Sequence, residues 1–393
     1  MRWSQLDRWV CAALLVVFVA ATPASCARHA APSSAPAAPP AGAAAPVAPA
    51  PAAAPASAGL PERLSDAEFW KLTTDLSEPG GTFRSENLLS NEVWLQYVIP
   101  DLLTIARSGR VYMGVGPEQN FTYIAALKPA MALIVDIRRG NLNLHLMYKA
   151  LFEMSDDRAD FLSRLFSRRR PEGLTRAATV QEIFQAYAAA PADEKYFEEN
   201  FTAIVDRLQK THGFPLPSED VSNIRNIFEF FGQYGPELTY WMSGGFGGRG
   251  GFRNSPTYAD LMLSSDAGGT LRSYLASEDN FLVIKILESK NLLVPVVGNF
   301  AGPKAVRAVG AWLREHHGVV SAFYLSNVEQ YLNMDGIWMD FCRNAAELPI
   351  DETSQFIRSY RGGGPGGAGF GGGSLNQGIS PMVADLKLCA GAH

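Results

Sequence analysis

The chain has 393 residues, of which 47% are apolar and 11% aromatic, enough to bury the core of one large domain or two small ones and too many for a chain disordered throughout. Its formal net charge is −5 with no dominant basic stripe, which gives no electrostatic ground for nucleic-acid binding. Four cysteines are too few for a disulfide scaffold, and without a Cys-x-x-Cys or paired histidines at helical spacing a zinc site has no support.

Arg2 and Arg8 precede an apolar run from Trp9 to Ala21, and Thr22-Pro-Ala-Ser-Cys26 follows, which are the three zones of a secretory signal over residues 1–26. The run is shorter than the roughly 20 apolar residues of a spanning helix, and no later run is long enough. Ala24-Ser25-Cys26 resembles the end of a bacterial lipobox, in which Cys26 would be lipidated and become the mature N-terminus. Pro23 stands where a large aliphatic residue is usual, so ordinary signal-peptidase cleavage is the alternative. Residues 27–59 are almost wholly Ala, Pro and Ser and are expected to form an extended tether. The expected location is the periplasm, free or held to the membrane by an N-terminal lipid and by nothing else.

The folded region is expected over residues 60–393, and Ser65-Asp-Ala-Glu68 has capping-box spacing for its first helix. A second helix is predicted from Glu92 to Arg107, closed by Ser108-Gly109. Val111 to Val115 and Met131 to Asp136 read as buried strands, with a glycine turn and a helix between them. Asn141 to Met154 is apolar at helical spacing, and Ser155-Asp-Asp caps a helix that runs to Arg168-Arg-Arg170, a basic run read as a solvated helix C-terminus. Residues 155–235 show several helices and no strand pattern, and are expected to be a helical insertion able to cover one sheet edge. Glu237 to Met242 is predicted to return as a short strand, before the glycine-dense loop 244–251, which lacks the Lys-Ser/Thr ending of a phosphate-binding loop.

Leu292 to Val297 is the next strand, Gly302-Pro303 opens a helix to about Glu315, and Val319 to Leu325 is again a buried strand. A helix over Val328 to Ala346, a late strand over Gln355 to Tyr360, a second glycine loop over 362–373 and a closing helix near Pro381 to Leu388 complete the chain. This rhythm predicts an α/β, doubly wound, mostly parallel sheet. Cys342 and Cys389 either pair, pinning the C-terminal segment, or remain two buried thiols.

In an open parallel sheet the ligand sits beyond the carboxyl ends of the strands, near the point where strand order reverses. That rule gathers Gly114, Gly116, Asp136, Asn299, Ser326 and Asn327, with Glu329, Gln330 and Tyr331 just beyond. A Gly-x-Gly turn lets a ligand approach the backbone, the following helix offers free N–H groups, and an acid roughly twenty residues on can hold ribose hydroxyls.

Tyr112-Met-Gly-Val-Gly-Pro-Glu-Gln119 resembles the first motif of class I S-adenosylmethionine-dependent methyltransferases, and Asp136 their ribose-binding acid. The likeness covers the sheet core, and more loosely residues 85–360 resemble an uncharacterised group of exported bacterial proteins with this Rossmann-like architecture. It implies S-adenosylmethionine as cofactor, with Gly114 and Gly116 under its methionyl part and Asp136 on its ribose; the strand-end rule adds Asn299 and Asn327 to the expected pocket, and Glu118 borders it at the head of the helix. Two positions depart from the pattern: Tyr112 stands where an acid is usual, and Glu118 where a third glycine is usual. Glu118 would also repel the pyrophosphate of a dinucleotide, which ranks a dehydrogenase lower. His145 reads as a packed core histidine and His316-His317 as a helix end.

The expected function is an exported domain, lipid-anchored where Cys26 is modified, that serves as a binding or interaction module with a modified cofactor pocket. Its partner would be a small molecule or an envelope protein. The alternatives are an active methyltransferase and a hydrolase reusing the pocket, with Asp136, Glu329 and Tyr331 as acid, base and orienting groups.

Overall fold

A computed structural model describes residues 59–83, 85–242, 255–361 and 375–391. The expected signal and tether up to residue 58, Cys26 with them, and the glycine-dense loops 244–251 and 362–373 lie outside the described residues.

Uninterrupted apolar runs make the middle of the sheet. β1 (Val111–Gly114), β2 (Met131–Asp136) and β3 (Leu293–Val297) are buried at every residue, as strands covered on both faces must be. With β4 (Val320–Ser326) and β5 (Gln355–Arg361) they form a parallel sheet. β6 (Leu375–Pro381) adds antiparallel to β5, and the order is β3-β2-β1-β4-β5-β6. Strand order therefore reverses between β1 and β4. The outer side of β3 is closed by the chain itself, since Glu78 N–H donates to the Val297 carbonyl at 2.7 Å and Val297 N–H to Ser77 Oγ at 2.9 Å.

α1 (Asp66–Leu76) starts at the expected capping box, with Ser65 N–H on Glu68 Oε2 at 2.7 Å and Glu68 N–H on Ser65 Oγ at 3.2 Å. α2 (Ile99–Ile105) is shorter than the helix expected from Glu92, because Pro100 has no N–H to give and fits only the first turn. α3 (Gln119–Leu127) links β1 to β2, and α4 (Arg139–Met154) follows β2. Then come α5 (Arg158–Leu165), α6 (Val180–Ala189), α7 (Glu194–Asp206), a π-helical turn (Arg207–Thr211) and α8 (Ser218–Tyr234). These helices share one aromatic core with α3 and α4: Phe152 stacks on Phe161 at 4.5 Å and meets Phe121 edge-on at 5.3 Å. The basic run is engaged within the chain, Arg168 on the Tyr187 carbonyl, Arg169 on Asp193 and Arg170 on Asp157.

Glu237 to Met242 is not a strand. Gly235 turns out of α8 with φ +55°, Pro236 lacks a donor, and two 3-10 turns follow, leaving one bridge from Thr239 to Thr257. α9 (Tyr258–Leu263) and α10 (Glu278–Ser289) lead to β3, and α11 (Ala305–Glu315) to β4. The single helix expected over Val328 to Ala346 breaks at Gly336, φ +71°, into α12 (Val328–Met334) and α13 (Trp338–Ala345). α14 (Met382–Gly391) closes the chain, and a disulfide between Cys342 and Cys389, with Cα atoms 5.9 Å apart, joins it to α13. Among the described residues no helix is long and apolar enough to cross a membrane.

Candidate functional site

The glycine turn after β1 is filled from inside. Asn120, fully buried in the first turn of α3, donates through Nδ2 to the carbonyls of Val115 at 2.9 Å, Gly116 at 3.2 Å and Pro117 at 2.8 Å. Its Oδ1 accepts from the Tyr112 hydroxyl at 2.9 Å. A Cβ on Gly114 would lie 1.9 Å from that Oδ1, so the close approach this glycine permits is to the chain's own amide. Gly116 sits at φ +80°, a conformation that favours glycine. His145 on α4 donates from Nε2 to the Gly116 carbonyl at 2.9 Å, and burial pushes its pKa down to about 4, so the ring is neutral.

Glu118, at the head of α3, is also fully buried, with Oε1 on the Ser90 N–H at 3.2 Å. Burial pushes its pKa up to about 8 against that hydrogen bond, with the nearby Glu92 adding to the rise. At neutral pH it is a carboxylic acid, and the charge expected to repel an anion there is absent.

Asp136 ends β2 as expected, but both of its oxygens are occupied. Arg138 donates from Nε to Oδ1 at 2.9 Å and from Nη2 to Oδ2 at 2.8 Å, and its backbone N–H adds a bond to Oδ1 at 2.9 Å. The side chains are 7% and 5% exposed. Burial lowers the Arg138 pKa, and the charge and hydrogen bonds of Asp136 more than reverse that, so the pair is ionic. The remaining guanidinium nitrogen reaches the carbonyls of Ser85 and Glu86, which ties the segment before α2 to the end of β2.

The other expected pocket residues stand at the same carboxyl edge with local partners. Asn299 takes the Ala301 N–H at 3.0 Å on its side chain, and its own N–H goes to Glu78 Oε2 at 3.3 Å. Glu78 Oε1 also accepts from the N–H groups of Lys304 at 2.8 Å and Ala305 at 2.7 Å, so an internal carboxylate caps α11. Asn327 precedes α12, its Oδ1 3.5 Å from Ser326 Oγ and its carbonyl on Gln330 N–H at 3.1 Å. Gly114, Gly116 and Glu118 share one turn, whereas Asp136, Asn299 and Asn327 each close a different strand. Asp136 and Glu329 are each paired with an arginine, Glu329 to Arg358 at 2.5 Å, and Tyr331 meets Phe83 edge-on at 5.0 Å.

A polar cluster that sequence reasoning missed lies where the strand order reverses. Glu92, 1% exposed, accepts at Oε2 from the Tyr324 hydroxyl at 2.5 Å and Gln377 Nε2 at 2.7 Å, and at Oε1 from Ser326 Oγ at 2.5 Å. Gln377 also donates to Ser359 Oγ at 2.7 Å, and Gln119 Nε2 lies 3.3 Å from the Tyr324 hydroxyl. Burial pushes the Glu92 pKa up, although Ser326, Tyr324, Ser359 and Gln377 all favour the charged form. Ser326 sits at φ +50°, strained for a non-glycine, where the register between β4 and β5 slips. A buried carboxyl surrounded by neutral donors from β4, β5 and β6 is suited to hold a proton. The signal in the sequence is slight: one acid in a run otherwise rich in Leu88, Leu89, Val93 and Leu95.

A mostly parallel six-stranded sheet flanked by helices, with a glycine turn after its first strand and an acid at the end of its second, is an α/β architecture compatible with the Rossmann-like class. The chain belongs to the family described as Domain of unknown function (DUF7790), which it matches over residues 88–215 and 256–371, more than half of its length. The match spans β1 to β5, the glycine turn, Asp136 and Glu92. Comparison with curated proteins gives no match.

Proposed function

We propose that this chain is an exported binding or interaction module of methyltransferase-like ancestry whose cofactor pocket is closed by its own side chains. The observation that carries this reading is the pairing of Arg138 with Asp136. A ribose could reach Asp136 only by displacing a buried guanidinium, and an uncompensated buried charge costs about 3–5 kcal/mol. The Asn120 amide in the glycine turn works in the same direction. The disulfide between Cys342 and Cys389 supports an oxidising compartment, in keeping with the signal-like segment at residues 1–26. Lipidation of Cys26 would anchor the module through the tether of residues 27–59.

Calorimetric titration of the mature protein and of Asp136→Ala with S-adenosylhomocysteine tests the reading. No heat from either protein at millimolar ligand is expected. Binding by the wild type that Asp136→Ala abolishes would restore the methyltransferase.

A further inference from the structure

Two carboxylates grip the two nitrogens of one imidazole. His212 follows the π-helical turn at the end of α7, with Nδ1 2.7 Å from Asp66 Oδ1 on α1 and Nε2 2.7 Å from Glu153 Oε2 at the end of α4. An ionised carboxylate can only accept, so a ring bonded on both sides carries both protons and is an imidazolium. Neither acid supplies the proton instead. Burial would raise both carboxyls, yet both are held below their ordinary values, Asp66 by hydrogen bonds from Asn291 and His212, and Glu153 by His212 and Lys149.

The surroundings make this contact a seam. The His212 ring, 10% exposed, stacks on Phe214 at 5.0 Å, which in turn stacks on Phe69 at 5.3 Å and Trp70 at 5.1 Å, both on α1. Lys149 on α4 pairs with Glu153 at 2.8 Å, and Arg207 stands 3.9 Å from the same carboxylate. From α10, Lys285 reaches the Glu153 carbonyl at 3.2 Å, and Glu288, neutral because burial pushes its pKa up to about 8, faces Lys149. Asn291 donates to Asp66 at 2.9 Å, and on the π-helical turn Lys210 pairs outward with Asp206.

We propose that His212 is a pH-operated clasp that ties α1 to α4 and to the π-helical turn while it is charged, and frees α1 when it loses a proton. A neutral ring would turn a lone pair toward a carboxylate at 2.7 Å, and that side of the seam would open. The element released is α1, which packs on β3 and is the first helix after residues 1–58. π-helical turns are rare and recur at functional sites.

Burial lowers the imidazole pKa, but Glu153 and Asp66 outweigh it and hold the value above the ordinary 6.5. A group raised on folding stabilises fully below its unfolded pKa and loses that effect as pH rises through the folded one. On the acid side the lowered carboxyls keep the clasp until pH falls through their own folded values. The clasp is therefore closed below the raised imidazole pKa and opens as pH rises through it.

The test is a histidine nitrogen NMR titration of the full chain, with thermal unfolding of the wild type and His212→Gln between about pH 5 and 9. One histidine, identified by the shift of its Nδ1 signal in Asp66→Asn, should carry both ring protons at the acidic end of the titration and titrate above the ordinary value. The advantage of the wild type over His212→Gln should be full at acidic pH and fall away as pH rises, by about tenfold in the unfolding equilibrium for each unit of raised pKa. A histidine titrating at or below its ordinary value overturns the clasp, as does an advantage that does not change with pH. If His212→Gln fails to fold, the wild-type nitrogen spectrum alone decides.

Discussion

Arg138 and Asp136, two residues apart between β2 and α4, form a buried bidentate ion pair with Nε–Oδ1 at 2.9 Å and Nη2–Oδ2 at 2.8 Å. Removing one partner leaves the other charged and buried, so Arg138→Ala should cost about 3–5 kcal/mol, read as a lower urea midpoint. Replacing both by apolar residues of similar volume should recover much of that loss. A cost below about 1 kcal/mol for Arg138→Ala would make the pair equivalent to an exposed one and remove the argument that it shuts the pocket.

Glu118 gives the fold a pH dependence of known sign. Its carboxyl titrates at about 8 in the folded chain against an ordinary 4.5, so between these values the folded state keeps a proton that the unfolded chain has lost, and stability falls as pH rises. The loss is on the order of a few kcal/mol, since each pKa unit is about 1.4 kcal/mol and burial effects of this kind relax. Glu118→Gln, which cannot titrate, should show a flatter stability curve over that window by denaturant unfolding. Parallel curves for the two proteins would place Glu118 in contact with water.

The disulfide should hold α14 in place. It closes a separation of 47 residues, for which loop entropy gives about 2–4 kcal/mol. Reduction, or Cys389→Ser, should lower the melting temperature and speed amide exchange across Met382–Gly391. Arg358 still joins β5 to Asp385 after reduction, so α14 should loosen without detaching. Equal protection of that helix in oxidised and reduced protein would contradict the pinning role.

Much of the sheet was legible because β1 to β3 are apolar runs, and β4 nearly so with Ser321 inside it, set off by Gly, Pro and helical spacing. β6 was not: Leu375-Asn-Gln-Gly-Ile-Ser-Pro381 mixes polar residues with glycine and is a strand because β5 supplies its partner. Pro100 and Gly336 sat in plain view inside expected helices and cut both of them. The glycine turn and Asp136 were found at the right places, yet their partners were not, since a spacing rule locates a backbone and says nothing of which side chain fills it. Arg138 was only two residues from the acid. Glu92 and His212 were beyond reach, each made meaningful by segments far apart in the chain: Tyr324, Ser326 and Gln377 for one, Asp66 and Glu153 for the other.

A crystal structure of the mature protein grown with saturating S-adenosylhomocysteine decides whether the pocket beyond β1 and β2 is shut by its own side chains. A closed pocket should show Arg138 on Asp136, the Asn120 amide on the three carbonyls of the turn, and no adenosine beyond β1 and β2. Ribose hydroxyls on Asp136 with the Arg138 guanidinium swung away would contradict it.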